Sequence, residues 1–115
     1  MGIATNSTNK SQACIDACNR CEQACYECFK ACLNEDDVNK RKNCISILVE
    51  CAQMCQMSSS LMSMGGQFVK EHCKLCATIC EKCASECDMF KDDHCMKCGT
   101  ECYSCADECK KMTGM

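Results

Sequence analysis

Cysteine occupies the positions along this chain where a helical core pattern normally carries large apolar residues. In three segments the cysteines follow one another at alternating steps of three and four residues, and charged residues such as Glu22, Lys30 and Glu81 fall outside that stripe. This spacing is a heptad repeat, so each segment is predicted to form a helix with one continuous face of thiols. The stripes contain Cys14, Cys18, Cys21, Cys25, Cys28 and Cys32, then Cys73, Cys76, Cys80, Cys83 and Cys87, and then Cys95, Cys98, Cys102, Cys105 and Cys109.

The pattern breaks between these segments, and the breaks divide the chain into helices. The stretch Asn34, Glu35, Asp36 and Asp37 lies before the second helix, and Asp92 and Asp93 lie before the fourth, where these side chains are expected to cap helix N-termini. The Gly65–Gly66 pair is expected to end the second helix. The predicted helices cover residues of about 10–33, 38–62, 67–90 and 93–112.

The third and fourth helices carry an internal repeat. The segment that begins at His72 reads HCKLCATICEKCASEC, and the segment that begins at His94, 22 residues later, reads HCMKCGTECYSCADEC. Helix 2 is a weaker copy, in which Leu48, Ser58 and Met62 share the stripe with cysteine. Its cysteines are Cys44, Cys51 and Cys55.

Helices of this kind joined by short connections predict an all-α fold, an up-down-up-down antiparallel four-helix bundle with a cysteine-lined core. Residues 10–112 are expected to form its single domain and residues 1–9 a flexible polar N-terminus. Leucine, isoleucine, valine and phenylalanine make up only 15 of the 115 residues. Cysteine, which behaves as a small hydrophobe, therefore has to supply much of the core volume. Further apolar residues lie outside the stripe of helix 2 and predict a subunit interface: Ile45, Ile47, Val49, Met54, Met57 and Leu61.

Charge and hydropathy argue against several classes of protein. The net charge is −3 and no basic patch is present, which disfavours nucleic-acid binding. No apolar run approaches the length of a membrane span, and residues 1–10 lack the apolar stretch of a signal peptide, so the chain is expected to be cytoplasmic. Disulfides are rare in a reducing cytosol, and an odd number of cysteines, 19, cannot all pair within one chain.

Rows of free thiols indicate that the chain binds a soft metal ion. Residues three or four apart on a helix have Cβ atoms about 5–6 Å apart, so a pair such as Cys73 and Cys76 offers two thiolates to one ion. Soft thiolates at low coordination number favour Cu(I). Zn(II), which takes four ligands in a tetrahedron, is the alternative, and a redox-active thiol protein is a third possibility. No cluster of histidines and carboxylates lies on the stripe, so the protein is predicted not to be an enzyme.

Soft, exchangeable ligands are predicted at one end of the bundle. Met62 lies on the stripe of helix 2 and His72 precedes the first cysteine of helix 3. Both are predicted to bind copper at the entrance formed by the connection between these helices, because thioether and imidazole hold Cu(I) less tightly than thiolate. His94 has the same place in its repeat but is not included among the predicted ligands. The opposite end is expected to be closed by an apolar plug of Phe29, Leu33, Val38 and Phe90.

The three stripes, the weaker second helix and the lack of a signal peptide resemble the cytosolic branch of the bacterial copper storage proteins. The similarity covers about residues 14–109, and 16 cysteines in three heptad runs are its specific feature. The resemblance implies a four-helix bundle, often tetrameric, whose interior thiolates hold many Cu(I) ions. It also implies storage and buffering of copper without catalytic turnover. A copper donor or acceptor protein, or a small thiol, is then an expected partner.

Overall fold

A computed structural model describes the backbone of residues 9–114 and the side chains of residues 11–114. No strand occurs in this part of the chain, and the predicted all-α class is confirmed. Apart from Asn9, the predicted flexible N-terminus lies outside the described residues. The elements are α1 (Asn9–Leu33), a 3₁₀ turn (Val38–Arg41), α2 (Lys42–Met64), α3 (Val69–Cys87) and α4 (Asp93–Met112).

The helices form a closed four-helix bundle. Each helix packs against its neighbours in the chain, and α1 also packs against α4. Cys14 at the start of α1 meets Cys109 at the end of α4, whereas Cys32 at the end of α1 meets Cys95 at the start of α4. These helices are therefore antiparallel, and the predicted up-down-up-down arrangement is confirmed.

The second helix begins later than the heptad pattern predicts. Residues Val38–Arg41 form a 3₁₀ turn, and α2 starts at Lys42. Asp37 precedes the 3₁₀ turn and Asp92 occupies the N-cap position of α4, but neither carboxylate bonds a helix N-terminus, so the predicted capping by these side chains is wrong. Both bind the guanidinium of Arg41 instead. A local ion pair with Asp37 and a second ion pair with Asp92, across the end of the bundle, thus replace side-chain capping.

Glycine ends α2 as predicted. Gly65 adopts a left-handed conformation with φ of 64°, which costs glycine little, and its N–H reaches the carbonyl oxygens of Leu61 and Met62. Helix α3 is shorter than the predicted range of 67–90 at both ends, since it runs from Val69 to Cys87. The heptad pattern extends as far as Phe90, which packs against the core from the turn after α3. A residue outside a helix can therefore still continue the apolar face of that helix.

Cysteine forms most of the core. All 19 cysteines are buried, and Leu48 is the largest fully buried side chain. Alanines beside the stripes, such as Ala52 and Ala84, are also buried and allow the helices to approach closely. The apolar volume that the sequence lacks in leucine and isoleucine is therefore supplied by sulfur.

Candidate metal centre

The thiols form one column of sulfur along the axis of the bundle. Neighbouring Sγ atoms lie 3.6 Å apart between Cys51 and Cys80, and 4.0 Å apart between Cys18 and Cys109. A disulfide bond is about 2.05 Å long, so these sulfurs touch without being bonded. Every cysteine is a free thiol. The column is therefore a reduced interior in which most sulfurs lie against other sulfurs.

Sulfur atoms from all four helices meet in the middle of the column, where Cys80 of α3 lies 3.6 Å from Cys51 of α2. Cys21 of α1 lies 3.9 Å from Cys51 of α2 and 3.7 Å from Cys102 of α4, measured between Sγ atoms. Contacts also cross the diagonal of the bundle, since Cys55 of α2 lies 3.8 Å from Cys105 of α4. A metal ion in this interior would thus take ligands from several helices at once.

Several groups of donor atoms have the size of a metal site. A thiolate–metal bond of about 2.3 Å puts the sulfurs of a trigonal site about 4.0 Å apart and those of a tetrahedral site about 3.8 Å apart. The observed spacing suits both geometries. In each group the donor atoms all lie within 4.8 Å of one another. The groups include Cys18, Cys76, Cys105 and Cys109; Cys21, Cys55, Cys80 and Cys105; Cys21, Cys25, Cys51 and Cys102; Cys28, Cys32, His94 and Cys95; and Cys14, Cys73 and Cys109.

The groups overlap, and this overlap has a chemical consequence. Cys21, Cys105 and Cys109 each belong to two of them. A thiolate shared in this way bridges two metal ions. The column therefore favours a continuous metal–thiolate cluster over a series of isolated sites.

Thiol–thiol hydrogen bonds divide the sulfurs into two kinds. Neighbouring thiols, Cys102 foremost, lower the pKa of Cys51, whereas neighbouring thiols, Cys105 foremost, raise the pKa of Cys55. Burial and the neighbouring charge of Cys32 raise the pKa of Cys95 to about 12. Adjacent buried thiols cannot all be anionic without cations between them. A soft cation that displaces the protons removes this restriction.

One end of the bundle, here called the Arg41 end, contains Glu35, Arg41, Phe90, Asp92 and His94. The Nδ1 atom of His94 lies 3.4 Å from the Sγ atom of Cys28 and 3.5 Å from that of Cys95. The Nε2 atom lies 2.9 Å from Glu35, and a carboxylate only accepts hydrogen bonds. Nε2 therefore carries a proton, and Nδ1 faces the thiols. A carboxylate behind a histidine orients it in the same way in many metal sites.

Arg41 closes this end over the sulfur column. Its side chain is buried, and its Nη1 atom lies 3.7 Å from Sγ of Cys32 and 3.5 Å from Sγ of Cys95. Although burial disfavours the cation, hydrogen bonds to Asp37 and Asp92 raise the pKa of Arg41. Of the predicted apolar plug, Phe29 and Phe90 are partly buried against the core, whereas 44% of the surface of Leu33 is exposed. Arg41 adds a buried cation to this end, which the sequence did not predict.

The opposite end, here called the Met62 end, contains Cys14, Met62, His72, Cys109 and Met112. Met62 is buried, with 5% of its surface exposed. The nitrogens of His72 lie 3.2 Å from Ser58 Oγ and 3.0 Å from the Sδ atom of Met57. Met57 is exposed, so a pair of soft ligand atoms lies at the surface beside the column.

The contacts of the two histidines differ from those that the sequence predicts. His94, which was left out of the predicted ligands, belongs to a group of donor atoms, whereas the described partners of His72 are Ser58 and Met57. The sequence offered one signal for His94, since it precedes Cys95 as His72 precedes Cys73. That signal is the same for both histidines and does not separate them.

Fold and site together define a four-helix bundle that holds soft metal ions in a thiol-lined interior. The model of the copper storage protein family matches residues 7–114. The chain therefore belongs to the copper storage protein family.

Relatives of known sequence and structure agree with this assignment. An uncharacterised cysteine-rich protein of Bacillus subtilis, YhjQ, is 42% identical over 77 residues, which are 67% of this chain and 71% of that protein. The Cu(I)-bound copper storage protein BsCsp3 is 41% identical, with a TM-score of 0.88 over 91% of this chain and 99% of that one. A cytosolic copper storage protein from Streptomyces lividans, solved with five coppers, is 30% identical, with a TM-score of 0.89 over 92% of this chain and 93% of that one. None of the helices in residues 9–114 combines the length and apolar character that a bilayer crossing requires.

Proposed function

We propose that this protein stores and buffers many Cu(I) ions, which are its cargo, in the thiol column of the bundle. The observation that carries the proposal is the contact of buried, reduced sulfurs from all four helices along the bundle. Soft thiolates suit Cu(I), which is stable with two or three sulfur ligands. Membership of the copper storage family and the Cu(I)-bound relative support the same metal.

Charge favours Cu(I) over Zn(II) in this column. A tetrahedral Zn(II) site with four unshared thiolates has a net charge of −2, and burying several such charges is costly. If each thiolate bridges two Cu(I) ions, every copper has two sulfurs and the interior is neutral. The shared positions of Cys21 and Cys105 provide such bridges. Zn(II) storage therefore becomes an outcome to be tested against Cu(I).

Ligands are assigned to the column and to both of its ends. All 19 cysteines are proposed as copper ligands. His94 is added at the Arg41 end because its Nδ1 atom faces Cys28 and Cys95. At the Met62 end, Met62 and His72 are proposed to guide copper into the column, with exposed Met57 as a further soft donor beside His72.

The proposed role is storage in the cytoplasm without catalytic turnover. The cytosolic relative from Streptomyces lividans supports this location. Copper is proposed to arrive from, or leave to, a donor or acceptor protein or a small thiol. The protein is also proposed to form a homo-oligomer, and the family resemblance suggests a tetramer. Apolar side chains of α2 that are only partly buried within one chain support this proposal; they include Ile45, Ile47 and Met54.

An anaerobic titration tests this function. Reduced metal-free protein is titrated with Cu(I) against a chelator of known affinity, and then with Cu(I) and Zn(II) in competition. We expect many Cu(I) ions per chain to be taken from the chelator and Zn(II) to be displaced. Protein whose thiols have been alkylated in denaturant is the control and should bind no more than a trace. A preference for Zn(II), or defined disulfides formed under mild oxidation with the fold retained, would refute copper storage.

A further inference from the structure

Arg41 has an unusual position for an arginine, because it is buried against sulfur. Only 4% of its surface is exposed. Within residues 11–114, it is the only arginine or lysine that donates a hydrogen bond to a thiol sulfur. Its two sulfur partners, Cys32 and Cys95, also touch each other at 3.8 Å between their Sγ atoms. A permanent positive charge therefore lies directly against the last sulfurs of the column.

The guanidinium is held in one orientation. Its Nε atom donates to Asp37 at 2.6 Å and its Nη2 atom donates to Asp92 at 2.5 Å. The ring of Phe90 lies below it, with 4.4 Å between Arg41 Cζ and the ring centroid. These contacts leave the two N–H bonds of Nη1 directed at the sulfurs. Burying the guanidinium costs free energy, because the charge leaves water. Neutral thiols in a copper-free column would not compensate this cost.

Copper loading explains the buried cation, because thiolates at the end of the column cannot each bridge two copper ions. A thiolate in the middle has metal ions on both sides, whereas one at the end has them on one side only. Binding there follows 2 RSH + Cu⁺ → [RS–Cu–SR]⁻ + 2 H⁺, so the product has one negative charge and the protons leave to solvent. In a buried site this charge needs a cation close by.

We propose that Arg41 is a built-in counter-cation that retains copper at the Arg41 end by neutralising the anionic copper–thiolate cluster that Cys32 and Cys95 form. This inference rests on the proposed copper storage. Asp37 and Asp92 do not cancel the effect, because their side chains are 40% and 30% exposed and solvent screens them. The guanidinium lies in contact with the sulfurs, where its field is screened least.

The test measures copper retention in a matched set of variants. Arg41→Met removes charge and donors, Arg41→Gln keeps a neutral donor, and Arg41→Lys keeps the charge. Arg20→Met is the control, since Arg20 is an exposed partner of Glu101 and its loss changes the net charge equally. Each protein is loaded with Cu(I), mixed with an excess of a Cu(I) chelator such as bathocuproine disulfonate, and followed by the absorbance of the copper–chelator complex.

Arg41→Met is expected to release the copper bound at the Arg41 end, a minor fraction of the total, faster than wild type. The increase should be about tenfold, the effect of losing one hydrogen bond to a charged group. Arg41→Lys should restore much of the retention, while Arg41→Gln should resemble Arg41→Met and Arg20→Met should resemble wild type. Release from Arg41→Met at the wild-type rate overturns the proposal. Retention by Arg41→Gln equal to wild type overturns the role of the charge.

A second variant separates this role from simple stabilisation. Asp37→Asn with Asp92→Asn keeps the cation but removes the carboxylates that orient it, and is expected to give intermediate release. Unchanged release in this double variant overturns the orienting role of the two carboxylates. Circular dichroism of each metal-free variant shows whether the bundle is folded. Failure of the wild type to load Cu(I) would refute copper storage itself, whereas normal wild-type loading with no effect at Arg41 refutes only this inference.

Discussion

The imidazole Nδ1 of His94 lies 3.4 Å from the Sγ atom of Cys28, although 66 residues separate the two along the chain. The contact exists because the start of α4 lies beside the end of α1. Glu35 holds the far side of the ring through Nε2. A nitrogen donor is thereby added to a column otherwise made of sulfur.

Removal of this nitrogen should weaken copper binding at one end only. His94→Ala is expected to speed copper loss from the Arg41 end about tenfold and to lower the copper capacity slightly. Glu35→Gln should have a weaker effect in the same direction, because it loosens the ring without removing it. Chelator competition with the loaded variants measures both. His72→Ala is the comparison at the Met62 end, where copper removal is expected to slow, and an equal acceleration in both histidine variants would contradict the assignment of His94.

Copper capacity should be close to one ion per cysteine, so about nineteen ions per chain. Interior thiolates that each bridge two Cu(I) ions keep the column neutral, whereas unshared pairs of thiolates would bury a charge at every copper. Titration against a chelator, with the bound copper counted by atomic absorption, measures the capacity. Saturation at half the cysteine count or below would show that the thiolates do not bridge.

Copper loading should leave the helices unchanged and raise the thermal stability. The heptad spacing folds the bundle before metal arrives, so far-ultraviolet circular dichroism of the reduced metal-free protein should already be helical. The melting temperature should rise as copper is added, since the metal binds only the folded state with high affinity. A transition from coil to helix on loading, as in a zinc finger, would be the opposite result.

The raised pKa of Cys95 should make this thiol a source of instability in alkali for the metal-free protein. Burial and the neighbouring Cys32 raise the pKa of Cys95 from 9.0 to about 12. Above pH 9 the unfolded chain therefore binds fewer protons than the folded one, and the free energy of unfolding falls as the pH rises towards 12. Below pH 9 this contribution is fully present. Urea denaturation at pH 7, 9 and 10 tests the slope, with copper-loaded protein as the control, because copper has already displaced its thiol protons.

Copper should pass more slowly through an altered Met62 end. Met62→Leu with His72→Ala removes a thioether and an imidazole, which exchange Cu(I) faster than thiolates do. Uptake and removal are expected to slow, with capacity barely changed, in stopped-flow transfer from a Cu(I) chelator. Phe90→Ala, at the Arg41 end, is the matched comparison. Unchanged rates in the double variant, together with faster exchange in Phe90→Ala, would place the entrance at the Arg41 end.

The sequence by itself determined the helices and the face that each one buries. Alternating steps of three and four residues fix a stripe through local backbone geometry, whatever the neighbouring helix is. Cys14 and Cys109 could thus be placed on buried faces from spacing alone. The glycine stop at Gly65 was predictable for the same reason, since a left-handed residue ends a helix locally.

The ends of the bundle were less accessible to sequence reasoning, although one signal was present. Glu35 lies three residues after Cys32, Arg41 three before Cys44, and Phe90 three after Cys87, so each continues a stripe beyond the last cysteine. The spacing places these residues at the end of the column. It gives no indication that Arg41 turns its guanidinium towards sulfur, nor that Asp37 and Asp92 bind it in place of capping a helix.

Only the tertiary structure decided which thiols meet and which histidine joins them. Cys14 contacts Cys109, and His94 contacts Cys28, because the axial stagger of α1 and α4 brings those levels together. His72 occupies the same place in its repeat, yet it turns to Met57 and Ser58. The axial stagger of the helices and the direction of each side chain follow from packing between helices. That packing depends on all four stripes together, whereas the position of one stripe depends only on the residues of its own helix.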